Sequence, residues 1–311
     1  MAAAAPRTIA LVVQRDLARA ITAIENGYAS ASAAGDTLPP RRESAPAYVV
    51  GVTGPPGAGK STLVDRLIES FRSNGDSVAV IAVDPSSPFT HGAVLGDRVR
   101  MQRHSGDHGV FIRSMASRES GGGIAPTTHH AIALASRAGF DVVIVETVGV
   151  GQVELEVVGV ADVVIVVTVP ALGDSVQTIK AGLTEIADLF VVNMADRPGA
   201  NKTSVDLKHM VRESGKSIPV LQTIARDGTG VGEVMAALTE SRGHHHTNAA
   251  RSVRFDVVRE VRDRAVRRAL DVLDGSRGRS ILERLANREM TRAVAREELL
   301  DLALEEVIHA D

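Results

Sequence analysis

The sequence contains no cysteine in its 311 residues. That excludes disulfides, iron–sulfur clusters and thiolate-bound zinc, and it fits a reducing compartment. Neither charge is in excess: Lys and Arg total 35 against 38 Asp and Glu, a net charge of −3. The balance leaves no basic footprint for nucleic acid. A membrane-length apolar run is missing too. The stretch "ADVVIVVTVPAL" (161–172) is interrupted by Pro170, short of the ~18 residues that a span needs. The opening "MAAAAPRTIALVV" lacks the basic region of a secretory leader. These absences predict a soluble, cytoplasmic protein with no membrane or nucleic-acid partner.

What is present is apolar and periodic. Hydrophobic residues make up 44% of the chain, and its length suits a main domain with helical additions. Ile9, Val13, Leu17, Ile21 and Ile24 recur at helical spacing and are followed by Gly27, a C-terminal cap. An Ala-, Ser- and Pro-rich linker over 29–46 follows. From Tyr48 the texture changes to short apolar runs: 48–52, 77–83, 141–146, 161–169, 188–193 and 218–223, alternating with helical segments. Near-continuous apolarity is what strands buried on both faces require. The order of elements predicts an α/β fold, a doubly wound, mostly parallel sheet, with helical extensions at both ends. After Gly243, Val253, Val257, Val261, Ala265 and Ala269 repeat every four residues, and two amphipathic segments follow near 280–294 and 296–309. That stripe packs on its own domain or forms a dimer seam; period alone does not separate the two. Expected boundaries are 1–46, 47–243 and 244–311. The run His244-His245-His246 reads as a solvated loop, because adjacent residues do not converge on one helical face.

The chemistry starts at "GVTGPPGAGKSTL" (51–63), which follows a buried strand and opens a helix. Residues Gly54, Pro55, Pro56, Gly57, Ala58, Gly59, Lys60 and Ser61 fill every position of G-x-x-x-x-G-K-[ST], with Thr62 next. Glycines let the backbone curl, so that successive N–H groups and the helix N-terminus face phosphate. Lys60 is expected at the β- and γ-phosphates and Ser61 on Mg²⁺. Further on, "DVVIVETVGVGQ" (141–152) delivers Glu146 to the same end of the sheet, with Gly149 positioned to offer a backbone N–H to a γ-phosphate. Val150 stands where a water-positioning Gln is usual, which predicts slow intrinsic hydrolysis. Asp84 ends the second apolar run, where a carboxylate can hold Mg²⁺. Asp97 lies in a polar, Gly-containing segment suited to a switch.

Base choice rests on "VVNMAD" (191–196). Guanine is read by Asn-Lys-x-Asp, in which the Asp accepts from N1–H and the exocyclic amine. Asn193 and Asp196 are present, and Met194 replaces the Lys with an apolar stem of similar reach. A site built to bond its ligand rejects analogues that leave a buried group unpaired. GTP is the expected nucleotide. An ATP-dependent small-molecule kinase remains the alternative, as does a metallochaperone GTPase.

Taken together, "ETVGVGQ", "VDPSSPF", "GDRVRM" and "RDLARAITAIENG" (15–27) resemble the MeaB/ArgK family of GTPases associated with methylmalonyl-CoA mutase. The resemblance implies phosphate and Mg²⁺ roles for Lys60, Ser61, Asp84, Asp97 and Glu146, and a base contact at Ala225 in "LQTIARDGTG" (221–230). It matches "ALGDSVQTIKAGLTE" (171–185) to an additional switch, with Gln177 and Lys180 as relay residues. It also implies GTP/GDP and Mg²⁺ as cofactors. The implied assembly is a homodimer that protects an adenosylcobalamin-dependent acyl-CoA mutase and gates loading of its cofactor.

Overall fold

The computed structural model describes residues 6–28, 31–39, 46–85, 102–104, 106–117, 126–147, 153–170, 183–243, 257, 261, 265–266 and 268–308. Two compact units divide the chain, Met1–Ser252 and Val253–Asp311.

The first unit is built on seven parallel strands: β1 (Tyr48–Thr53), β2 (Val78–Pro85), β3 (Val110–Ser117), β4 (Val142–Thr147), β5 (Val163–Thr168), β6 (Leu189–Val192) and β7 (Val220–Gln222). Their order is β3-β2-β4-β1-β5-β6-β7. The central strands are almost entirely β-branched, "VVIVET" in β4 and "VVIVVT" in β5. Such residues suit the pleated surface, and every residue of these two strands is buried. Successive side chains point to opposite faces. Val142 and Ile144 accordingly join one apolar cluster, and Val143 and Val145 join the other.

Helices cover both faces. Helix α1 (Leu11–Glu25) presents Leu17, Ala20, Ile21 and Ile24, and α2 (Ala31–Gly35) follows it. Helix α3 (Lys60–Ser73) buries Leu63, Val64, Leu67, Ile68 and Phe71 against the opposite face. The remaining helices of this unit are α4 (Pro126–Arg137), α5 (Val153–Val160), α6 (Leu183–Ile186), α7 (Ala200–Glu213) and α8 (Val231–Gly243). Full burial of one Leu or Ile side chain contributes about 1.5–3 kcal/mol, so the α1 stripe holds the amino-terminal segment firmly. Helix α1 starts at Leu11, so Ile9 precedes it and packs as a partly buried residue. The stretch expected to be a linker contains α2, and both Ala34 and Leu38 are buried in the core.

Strand β3 has no counterpart among the expected strands. Its "VFIRSMAS" is interrupted by Arg113 and Ser114. Among the described strands it is an edge strand paired to β2 alone, and edges tolerate polar residues that a doubly covered strand excludes. Arg113 ion-pairs with Glu25 and donates to Thr22 Oγ1 at 3.0 Å, tying α1 to that edge.

The carboxyl ends of β1, β4 and β5 meet where connections leave for opposite sides of the sheet, and that crevice is where ligands bind in such folds. Gly51 lies in the middle of β1, and a Cβ there would stand 2.6 Å from Val157 Cγ2 and 3.1 Å from Ala161 Cβ. Only a missing side chain lets α5 approach so closely.

The second unit contains α9 (Ser276–Ala286) and α10 (Arg292–Ile308), with residues 268–273 also helical. The helix expected over 280–294 ends at Ala286, and Arg288 follows with φ 61°. A turn through 287–291 therefore separates two helices where the periodicity suggested later boundaries. Among the described residues no helix is long and apolar enough to cross a membrane.

Candidate nucleotide site

Strand β1 ends at Thr53, and the loop 54–59 turns directly into α3 at Lys60. Three glycines with positive φ, Gly54, Gly57 and Gly59, make the turn. Gly54 has φ +137°, and a Cβ on it would fall 2.0 Å from the Val167 carbonyl oxygen. Gly59 is the N-cap of α3 with φ +83°, and no side chain caps that helix. Its first-turn N–H groups are left for a ligand, and the helix dipole favours an anion there.

Lys60 is nearly buried and folds back over the loop. Its Nζ donates to Gly54 O at 2.8 Å and to Pro55 O at 3.0 Å. The Ser61 hydroxyl donates to Glu146 Oε1 at 2.6 Å. Glu146 is 3% exposed and lies in register with Val52 of β1 and Ala82 of β2. Next to it Thr147 Oγ1 donates to Thr53 Oγ1 at 2.9 Å, locking the ends of β4 and β1 together. Asp84 is the second-last residue of β2, at the same carboxyl edge, with its side chain outside the described residues. Asp97, Gly149, Val150, Gln177, Lys180 and the His244–His246 run also lie outside them.

Two oxygen donors converge at the helix end, a hydroxyl and a buried carboxylate. That set suits a hard divalent cation such as Mg²⁺. Bound there beside phosphates, such an ion supplies charge neutralisation on their oxygens.

The base loop is knitted by Asn193. Its Nδ2 donates to Ala58 O at 2.9 Å, and its Oδ1 accepts from Thr223 Oγ1 at 3.1 Å and from the Ala225 N–H at 3.0 Å. The phosphate loop, the end of β6 and the loop after β7 thus share one buried amide. Met194 has φ 56°, an uncommon left-handed conformation for a side-chain-bearing residue. Its Cε would lie 3.7 Å from a Cβ built on Gly59, so the apolar stem does lie against the phosphate loop. Asp196 is half-exposed and faces Arg226 at 3.6 Å. Sequence reasoning does not single out Thr223, nor Arg66, which donates from α3 to the Ala225 and Arg226 carbonyls. Thr223 lies in the stretch 221–230 but outside the Ala225 contact expected there, and Arg66 belongs to no motif. Arg66 could be noticed only as a basic residue three before Glu69, with which it pairs at 3.0 Å.

On the opposite flank of α3, Asp65 accepts from Arg103 Nε at 2.7 Å and sits 2.7 Å from His104 Nε2. Arg72 grips Asp107 through two bonds of 2.8 Å. The Arg72 guanidinium holds the Asp107 carboxyl below its usual range.

A glycine-capped phosphate loop, a buried Ser–Glu pair and a separate Asn-centred base loop, all at the carboxyl edge of a parallel sheet, define a P-loop nucleotide-binding domain. Residues 17–274 match the family described as Methylmalonyl Co-A mutase-associated GTPase MeaB. The chain belongs to that family and is a P-loop GTPase that binds guanine nucleotide. A provisionally named GTPase of Pyrococcus abyssi is 52% identical over 236 residues, covering 74% of this chain and 72% of that one. A protein of Cupriavidus metallidurans named "Fused isobutyryl-CoA mutase" is 39% identical over 216 residues, 68% of this chain but 20% of that one. The solved "LAO/AO transport system kinase" superposes with a TM-score of 0.62 at 27% identity, covering 93% of this chain and 94% of that one.

Proposed function

We propose that the chain hydrolyses GTP as the chaperone of an adenosylcobalamin-dependent acyl-CoA mutase, protecting the mutase and gating loading of its cofactor. On this reading Lys60 exchanges the Gly54 and Pro55 carbonyls for β- and γ-phosphate oxygens. Ser61 and Glu146, with Asp84 and Asp97, hold Mg²⁺, and Gly149 offers its N–H to the γ-phosphate. Asp196 accepts from the guanine donors, Ala225 closes on the base, and Asn193 keeps both in register with the phosphate loop. Gln177 and Lys180 relay the state of the γ-phosphate to the partner.

The partner assignment is carried by one observation: a mutase of Cupriavidus metallidurans contains, within its own chain, a stretch 39% identical to 68% of this one. Fusion raises effective concentration without new contacts, so a GTPase and a mutase joined in one chain support an association between separate ones. The reading extends to a homodimer formed through an arm over 244–311. Val257, Val261, Leu270, Leu282, Val294 and Leu300 are exposed in that region, and apolar side chains in such number suit a partner surface.

The deciding measurement is GTP turnover by the chain alone and with the purified acyl-CoA mutase, in the presence of adenosylcobalamin. We expect slow turnover alone, since Val150 orients no water, and stimulation by the mutase. The activating groups that partners supply reach ~10³–10⁵ in rate. Unchanged turnover together with no capture of the mutase on a non-hydrolysable GTP analogue would remove the chaperone reading and leave a GTPase with another client.

A further inference from the structure

Arg66 stands on α3, five residues after Ser61, yet its guanidinium serves the other end of the nucleotide site. Its Nε donates to Ala225 O at 3.1 Å, and one terminal nitrogen donates to Arg226 O. The other terminal nitrogen pairs with Glu69 at 3.0 Å, and the side chain is 27% exposed. Ala225 is consequently held from both sides: its N–H by Asn193 Oδ1 and its carbonyl by Arg66. Arg226, the second residue gripped, is also the residue that faces Asp196.

We infer that Arg66 is a positioning residue for base recognition, fixing the loop after β7 to the phosphate-binding helix so that Ala225 and Asp196 face the base before the ligand arrives. The inference rests on the guanine-site reading above. A guanidinium is a planar fork of five donors, able to hold two adjacent carbonyls and a carboxylate at once, whereas an ammonium acts as a point charge. Glu69 fixes the fork's orientation, as a supporting shell does for a binding group. Without the fork, the Ala225 and Arg226 carbonyls lose their Arg66 partner, the Asn193 bond and the 3.6 Å Arg226–Asp196 pair remain, and the ligand must complete the ordering of the loop as it binds. The phosphate loop keeps all its own contacts, because Arg66 touches none of residues 54–61 in the hydrogen bonds that it makes.

The test separates the two ends of the site. Arg66→Met keeps the stem and removes the fork; Arg66→Lys keeps the charge. Equilibrium binding of GDP, ADP and inorganic tripolyphosphate is measured for each by calorimetry, beside the melting temperature. We expect GDP to weaken about tenfold in Arg66→Met, the scale of one hydrogen bond to a charged group. Tripolyphosphate, which has no base, should change less than about twofold, and Arg66→Lys should recover only part of the loss. Unchanged GDP affinity, or equal weakening of GDP and tripolyphosphate, overturns the positioning role. Wild-type protein that binds ADP as tightly as GDP overturns the guanine-site reading itself, whatever the variants do.

Discussion

The Ser61 hydroxyl donates a 2.6 Å hydrogen bond to Glu146 Oε1, and both side chains are buried at the junction of β1, α3 and β4. Enclosing a carboxylate is costly unless it is paired and hydrogen-bonded, and a hard divalent cation suits such an oxygen. Ser61 and Glu146 would hold a hard cation there, and the ion would supply charge neutralisation on neighbouring phosphate oxygens. Glu146→Gln keeps the shape, and its amide oxygen can still accept from Ser61, but the charge is gone. We expect the Mg²⁺ concentration for half-maximal GTP turnover to rise and the turnover to fall by about 10², consistent with the several kcal/mol that metal-assisted charge stabilisation contributes. A Mg²⁺ titration of steady-state hydrolysis checks this. An unaltered Mg²⁺ response would place the metal elsewhere.

Asp196 and Met194 sit on one short loop after β6. Asp196→Asn exchanges an acceptor for a donor, so GTP should weaken roughly 10²-fold or more, given about 1.5–3 kcal/mol for each bond to a charged acceptor. Xanthosine triphosphate, which carries an acceptor at position 2, should bind the variant better than the wild type does. Met194 already lies against Gly59, and a Lys there would follow the same path and add an ammonium near the base. Met194→Lys should tighten GTP two- to fivefold, from a cation–π contribution of about 0.5–1 kcal/mol. Calorimetry with GTP, XTP and ATP measures all three, and loss of XTP along with GTP would argue against Asp196 as the reader.

Gly51 is where packing tolerates least. A methyl group there meets Val157 Cγ2 at 2.6 Å and Ala161 Cβ at 3.1 Å. Gly51→Ala should destabilise by about 1–3 kcal/mol, the usual cost of overpacking. Adding Val157→Ala should recover much of that loss, because the nearest clash is with Val157. Urea midpoints of the three variants decide it, and strictly additive losses would mean that the strain lies elsewhere.

How much of this could be read beforehand follows burial and locality. Continuous apolar runs announce strands covered on both faces, so β1, β2, β4, β5 and β6 are legible in the sequence, and the run over 218–223 marks β7 as well. Strand β3 carries Arg113 because one side of it is open, and that polar residue hid it. Residues 54–61 were legible because phosphate binding is done by consecutive backbone groups, which forces a contiguous motif. The base loop is assembled across distance: Asn193 reaches Ala58, Thr223 and Ala225, and Arg66 reaches residues 159 and 160 positions away. Asn193 was anticipated because its motif is local, whereas Thr223 and Arg66 contribute bonds that no spacing along the chain records.

Tyr48 supplies a test of the core by pH. It opens β1, is 1% exposed, and donates its hydroxyl proton to Leu238 O at 3.1 Å. Burial pushes its phenol up to about 12, from 10.0; a hydrogen bond with Ser241 acts against this, as does the Arg242 charge, while the Asp162 charge acts with it. The folded state therefore favours the neutral phenol. Stability from this group is complete below pH ~10, where the unfolded chain also keeps its proton, and is lost as pH rises through about 12. That difference corresponds to about 2–3 kcal/mol. Tyr48→Phe forfeits the hydrogen bond, about 1 kcal/mol, but has no proton to lose. Below pH ~10 the wild type should be the more stable protein, and between about 10 and 12 the two curves should cross. Urea midpoints collected across that range measure the crossing, and curves that stay parallel would show that Tyr48 does not titrate with folding.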